Sequence, residues 1–283
     1  MTTPPPPGPP AVPLYGFDAF SPQEVSERIE RIGVVKARLP LARMLMLAAL
    51  AGAFIGFGAL SFVLVASDPT LGFAAKRVLG GAVFSLGLLL VVVAGAELFT
   101  GNNLLVMAWV SGRIRTGELL RNWAVVLLGN ALGAALLAFL VSLSGHLEMN
   151  GGLVRETYLA VAGAKTSIGW GQAFVSGILC NALVCLAVWM ATAGRSVVDK
   201  LVAIIFPIGA FVAAGFEHSV ANLYLIPTAL LIEWTGMATA VPDSISLAGL
   251  AGNVIPVALG NVVGGGLGVA AVYWVIYRQG RTA

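Results

Sequence analysis

Six stretches of the chain are apolar for long enough to cross a bilayer: residues 41–66, 79–111, 119–143, 166–194, 198–232 and 248–277. A spanning helix needs about 20 such residues. The second and fifth stretches are too long for one span, and each carries a polar interruption. These are Glu97-Leu98-Phe99-Thr100-Gly101-Asn102 and Glu217-His218-Ser219-Val220-Ala221-Asn222. Ahead of the first span, Ser21-Pro22-Gln23-Glu24 combines an N-cap with proline in the first turn and predicts a helix start. Its continuation to Lys36 is mixed and amphipathic, which predicts a helix lying on the membrane surface. The opening MTTPPPPGPPAVP lacks the basic and apolar regions of a signal peptide and predicts a disordered proline-rich tail. The expected organisation is therefore a tail (1–20), a surface helix (21–40) and a six-span transmembrane domain (41–278).

The pattern repeats. Both interruptions read E-x4-N. The third span carries Gly129-Asn130-Ala131-Leu132-Gly133-Ala134 and the sixth Gly260-Asn261-Val262-Val263-Gly264-Gly265, both G-N-x-x-G followed by a small residue. The halves match as spans one to three and four to six. Three spans per half force opposite orientations. The predicted fold is thus an all-α membrane protein of six transmembrane helices in an inverted 3+3 repeat, with broken second and fifth helices. Paired breaks of this kind mark a pathway near the midplane.

Composition agrees. Hydrophobic residues make up 58% of the 283 and charged residues 10%, against about 25% charged in soluble domains. A soluble enzyme, a nucleic-acid-binding module and a disordered chain are excluded. The net charge of +3 does not signal nucleic acid, because the basic residues lie between the apolar runs. Arg28, Arg31, Lys36, Arg38, Arg43, Arg113, Arg115, Arg121, Arg195, Lys200, Arg278 and Arg281 fall on one side; Lys76, Arg77, Arg155 and Lys165 fall on the other. That bias places both termini in the cytoplasm. Cys180 and Cys185 read as small buried hydrophobes. Gly264-Gly265-Gly266 has neither a preceding strand nor a following Lys-Ser/Thr and reads as close helix packing. No metal-ligand cluster, hydrolase triad or dinucleotide fingerprint is visible, so no catalytic residue, metal or cofactor is expected.

Irregular backbone in a membrane is tolerated only where it is buried in protein or lines a cavity, and an ionisable group there is a functional candidate by default. His218 is the foremost one, as a hydrogen-bond or proton donor in the pathway; the plainer role is bracing the break. Its charge state is left open, since burial and a neighbouring carboxylate act in opposite directions. Glu97 and Glu217 are expected to cap half-helix N-termini through backbone N–H groups, with a cation site or proton relay as the other reading. Asn102 and Asn222 are expected to brace the loops. Lys165 is either a snorkelling lysine or a cation drawing anions into a funnel. Asn181 is either a helix-packing amide or a pore residue. Phe84, Leu88, Leu98, Phe99 and Phe211 flank the breaks and are candidates for apolar constrictions.

Three segments in order carry a resemblance: Ala96 to Asn102, Phe216 to Asn222, and Asn253-Val254-Ile255-Pro256-Val257-Ala258-Leu259-Gly260-Asn261-Val262-Val263-Gly264-Gly265. Across residues 20–278 the chain resembles the formate/nitrite transporter family, bacterial pentameric channels for small monovalent anions. The resemblance implies an aquaporin-like protomer with its own pore, assembled as a homopentamer in the lipid of the bacterial inner membrane. It implies a loop at Leu98–Asn102 whose Thr100 hydrogen-bonds His218. It places Lys165 in a periplasmic vestibule and Asn181 beside the pore. Phe84, Leu88 and Phe99 become constrictions on the second span and Phe211 on the fifth, and Asn253 and Asn261 belong to the sixth-span motif. The implied activity is passive or proton-coupled transport of formate, which crosses the dry section as formic acid after a proton from His218. Nitrite, hydrosulfide and lactate are rival substrates. A neutral-solute channel fits less well, since aquaporin-type Asn-Pro-Ala boxes are missing, and a membrane enzyme would need a metal or nucleophile cluster.

Overall fold

The computed structural model describes residues 19–238 and 240–279. The expected proline-rich tail, up to residue 18, and Arg281 lie outside the described residues. Helix α1 (Pro22–Ala37) starts where the sequence signals: Ser21 Oγ accepts the Glu24 N–H, and the Glu24 carboxylate accepts the Ser21 N–H at 2.8 Å. Val25 and Ile29 pack with Leu104, Met107 and Trp189, so the apolar face of α1 docks on the end of the bundle.

Helix α2 (Leu41–Ala66) is an uninterrupted span. The second span runs through α3 (Phe73–Phe84), α4 (Leu86–Leu90) and a wide turn at Val91–Gly95. It breaks over residues 96–100 and resumes as a tight turn (Gly101–Leu105) and α5 (Val106–Val110). Helix α6 (Thr116–Leu143) is the third span. A short connection, His146–Gly152, leads to α7 (Leu153–Thr166) and then to the fourth span, α8 (Trp170–Ala193). The fifth span is α9 (Val197–Ala214), a break at residues 215–218, and α10 (Ser219–Trp234). The sixth is α11 (Leu247–Val262), a wide-turn segment (Val263–Ala271) and α12 (Val272–Tyr277). Among the described residues, six helices are long and apolar enough to cross a membrane.

Helix α7 was not expected. It is 14 residues long and carries Arg155, Glu156 and Thr157, so it does not register as a span. Its buried face, Val154, Tyr158, Leu159 and Ala162, has helical spacing and packs into the core. The fourth span consequently begins at Trp170 rather than 166. The breaks also end slightly earlier than expected: Gly101 and Asn102 belong to the turn after the first, and Ser219 to Asn222 are already helical. Each half of the inverted repeat is thus three spans led by one amphipathic helix, α1 or α7.

Close packing within each half depends on glycine. A Cβ on Gly133 would overlap the Ala49 carbonyl, and one on Gly264 would overlap the Ile178 carbonyl. These glycines hold the same place in the two G-N-x-x-G motifs and bring α6 against α2 and the sixth span against α8. Both broken helices end on a left-handed glycine, Gly95 (φ 85°) and Gly215 (φ 79°), a conformation that a side chain would strain. Apolar residues also face outward: Leu128, Leu132, Leu136 and Leu140 form an exposed stripe along α6. Replacing Gly264 by Ala should lower the thermal unfolding midpoint of detergent-purified protein by several degrees. Gly252→Ala, whose new methyl meets nothing within 4 Å, should leave it unchanged or raise it; equal tolerance at both sites would contradict the packing.

Candidate functional site

The site is built on the two breaks. A break leaves N–H and C=O groups without helical partners, and each costs free energy unless it is paired. One asparagine serves each break. Asn130 Oδ1 accepts the Phe99 N–H at 2.9 Å, and its Nδ2 donates to the Ala48 and Glu97 carbonyls at 2.8 and 2.9 Å. Asn261 Oδ1 accepts the Ser219 N–H at 3.1 Å, and its Nδ2 donates to the Gly177 and Glu217 carbonyls at 2.8 and 3.2 Å. Both side chains are fully buried.

The carboxylates of the E-x4-N motifs are held the same way in both halves. Lys36 Nζ lies 3.1 Å from Glu97, and Asn102 Nδ2 donates to Glu97 at 2.7 Å and to Asn122 Oδ1 at 3.0 Å. Lys165 Nζ lies 2.9 Å from Glu217, and Asn222 Nδ2 donates to Glu217 and to Asn253 Oδ1, both at 2.6 Å. Asn122 and Asn253 close the rings by donating to the Lys36 and Lys165 carbonyls. The expected role of Glu97 and Glu217 as backbone caps is therefore corrected. Each accepts from a lysine and from at least one side-chain amide, because a buried carboxylate gains more from a full opposite charge than from one peptide dipole.

His218 sits at the second break, between Phe211 and Thr100. Its ring is stacked on Phe211, with centroids 5.7 Å apart, and Phe211 meets Phe84 edge-on at 5.6 Å. His218 is also the N-cap of α10: Nδ1 accepts the Ala221 N–H at 3.1 Å. A nitrogen that accepts a peptide N–H carries no proton, so in this geometry the ring is neutral and its proton is on Nε2. Nε2–H donates to Thr100 Oγ1 at 3.0 Å. The Thr100 carbonyl, behind the loop, receives Asn181 Nδ2 at 3.2 Å and the Cys185 thiol at 3.4 Å.

Two cavities approach this pair from opposite ends. The one on the α7 side, about 290 Å³, is lined by Lys165, Arg77, Glu217, Asn222, Phe84, Phe211 and His218. The one on the α1 side, about 600 Å³, is lined by Lys36, Arg43, Glu97, Asn102, Leu88 and Leu98. Phe84 and Phe211 thus belong to one cavity and Leu88 and Leu98 to the other. Phe99 and Thr100 are buried and line neither. Asn181 also lines neither; besides Thr100 it binds the Asn261 carbonyl at 2.7 Å, supporting the loop from behind.

Residues 23–275 match the model of the family described as formate/nitrite transporter. The chain belongs to the formate/nitrite transporter family. Within this formate/nitrite transporter family it is 40% identical to the formate channel FocA of Escherichia coli K12 over 275 residues, 93% of this chain and 96% of that one. It is 37% identical to a solved structure described as a pentameric formate channel with formate bound, at TM-score 0.78, covering 84% of this chain and 98% of that one. A second solved structure, an FNT family ion channel, is 31% identical at TM-score 0.80, covering 89% of this chain and 98% of that one.

Three residues of the site escaped the sequence reading. Lys36 was placed on a surface helix, with no sign that Glu97 was its partner. Asn122 lies eight residues before Asn130, as Asn253 lies before Asn261, and that spacing was the available signal. Arg77 gave none. Breaking one ion pair tests the network. Lys165→Met strands Glu217, only 6% exposed, and should cost roughly 3 kcal/mol. The double variant Lys165→Met/Glu217→Gln should recover most of the loss of thermal stability, and additive losses would contradict the pairing.

Proposed function

We propose that the protein conducts formate across the bacterial inner membrane, through one path in each protomer of a homopentamer with both termini cytoplasmic. The observation that carries this reading is the buried His218–Thr100 pair between two cavities that each hold an ion-paired lysine. It is supported by relatives described as formate channels, one solved as a pentamer with formate bound. Orientation rests on the excess of Lys and Arg on the α1 face, which makes the Lys36 cavity inner and the Lys165 cavity outer. The exposed apolar faces meet lipid or neighbouring protomers.

An entering anion first reaches the outer cavity, whose lining includes Lys165. It then loses water against Phe84 and Phe211, where a bare charge is costly. His218 Nε2–H replaces part of the lost hydration, and the anion takes the place of Thr100 as acceptor. The capped ring donates a hydrogen bond but has no second proton to give. Crossing as formic acid therefore requires an imidazolium, formed when Nδ1 releases the Ala221 N–H and takes up a proton. Transfer of the Nε2 proton from that imidazolium to formate yields formic acid and leaves a neutral ring protonated on Nδ1; the capping ring returns once Nδ1 has lost that proton and Nε2 has taken one up. Proton-coupled passage is thereby tied to a small opening of the α10 N-terminus.

Flux of labelled formate, nitrite and hydrosulfide into proteoliposomes across a pH range tests this. Formate should be carried fastest. His218→Phe removes both donor and cap and should cut formate flux at least about tenfold while abolishing its pH response. Unchanged flux and pH response in that variant would reject the role of His218.

A further inference from the structure

The outer cavity contains a second cation whose position differs from that of Lys165. Arg77, on α3, donates from Nε to the Ala213 carbonyl and from Nη2 to the Val212 carbonyl, both at 2.8 Å. These carbonyls belong to the last turn of α9, where the helix has run out of its own donors and carries partial negative charge. The neighbouring position is constrained to match: a Cβ on Gly215 would sit 2.7 Å from Nη2. Lys165 and Glu217 cancel each other as a 2.9 Å ion pair. Among the described residues Arg77 forms no ion pair with a carboxylate, and its hydrogen-bond partners are those two carbonyls. The net positive charge of the cavity lining is therefore that of Arg77.

We propose that Arg77 is the residue that concentrates monovalent anions, carboxylates among them, at the outer mouth. It acts in two ways. It cancels the negative end of α9, which would otherwise repel an anion approaching Phe211. It also supplies a guanidinium whose Nη1 is free to donate to an incoming carboxylate. Lys165, ion-paired with Glu217 and receiving Asn253 Nδ2 at its carbonyl, lines the same cavity. Entry from the inner face does not involve Arg77, because that cavity has its own cation outside the lysine–glutamate pair, the exposed Arg43.

The inference rests on the reading of the chain as an anion path, and sided transport separates the two. Formate uptake is measured in spheroplasts, which present the outer face, and in inverted membrane vesicles, which present the inner face. The host cells lack formate channels of their own. Arg77→Gln should raise the KM for entry from the outer face roughly three- to tenfold and leave inner-face KM unchanged. Arg77→Lys should stay within about twofold of wild type. Charge is separated from helix capping, and from any folding defect of Arg77→Gln, by Arg77→Cys modified with an ammonium-bearing or a sulfonate-bearing methanethiosulfonate; Cys180 and Cys185 are fully buried. The ammonium should restore the outer-face KM and the sulfonate should raise it further. An unchanged KM in Arg77→Gln, equal effects at both faces, or indifference to the sign of the attached charge would overturn the role of Arg77 while leaving the anion path standing. Absence of anion flux in the wild type would overturn both.

Discussion

Two helices stop in the middle of an apolar slab, and the backbone groups they expose have no water to fall back on. Everything else in the structure follows from satisfying those groups. Asn130 and Asn261 each take one N–H and two carbonyls. Gly95 and Gly215 let the chain turn, and Gly133 and Gly264 let the asparagine-bearing helices come close enough to reach. The Lys36–Glu97 and Lys165–Glu217 pairs then fix the flanks. The charges are affordable at that depth because each carboxylate has a cation and at least one amide donor.

The inverted repeat supplies the scaffold, and departures from it supply the chemistry. Leu98 and His218 both follow the motif glutamate, so one break carries a greasy side chain where the other carries an imidazole. Thr100 and Val220 are related in the same way. The polar pair at the centre therefore combines the polar member of each unlike couple. The support is unlike as well. Asn130 binds the Ala48 carbonyl and Asn261 the Gly177 carbonyl, which aligns Asn181 with Gly52 and Cys185 with Gly56. Asn181 and Cys185 reach the Thr100 carbonyl, whereas Gly56 leaves room for the Tyr224 ring.

The six spans, both interruptions and the repeat were legible in the sequence because period, length and hydropathy are local properties. The motif asparagines were legible because an amide in an apolar run must be paired. Partners distant in the chain were not. The carboxylates of Glu97 and Glu217 looked like helix caps until Lys36 and Lys165 were seen to fold over them. Lys36 itself sat on an amphipathic helix whose docking surface, Leu104, Met107 and Trp189, comes from three other elements. Asn181 stood open between a helix-packing amide and a pore residue, because its target is a loop carbonyl 81 positions away. Helix α7 hid behind its own charges.

In the proposed path His218 joins structure to transport because its two ring nitrogens have different duties. Nδ1 holds the first turn of α10 and Nε2 faces Thr100. A ring placed so is a neutral donor at rest, and the cap guards that state. The most direct measurement is nitrogen-15 solid-state NMR of the protein in lipid, labelled in histidine. Only His146 competes for the label, and its replacement by glutamine leaves a single imidazole. At neutral pH one protonated and one bare nitrogen are expected, with the bare one assigned to Nδ1 through its coupling to the Ala221 amide. A ring protonated on both nitrogens, or on Nδ1 alone, would contradict the capped donor and with it the path drawn through position 218.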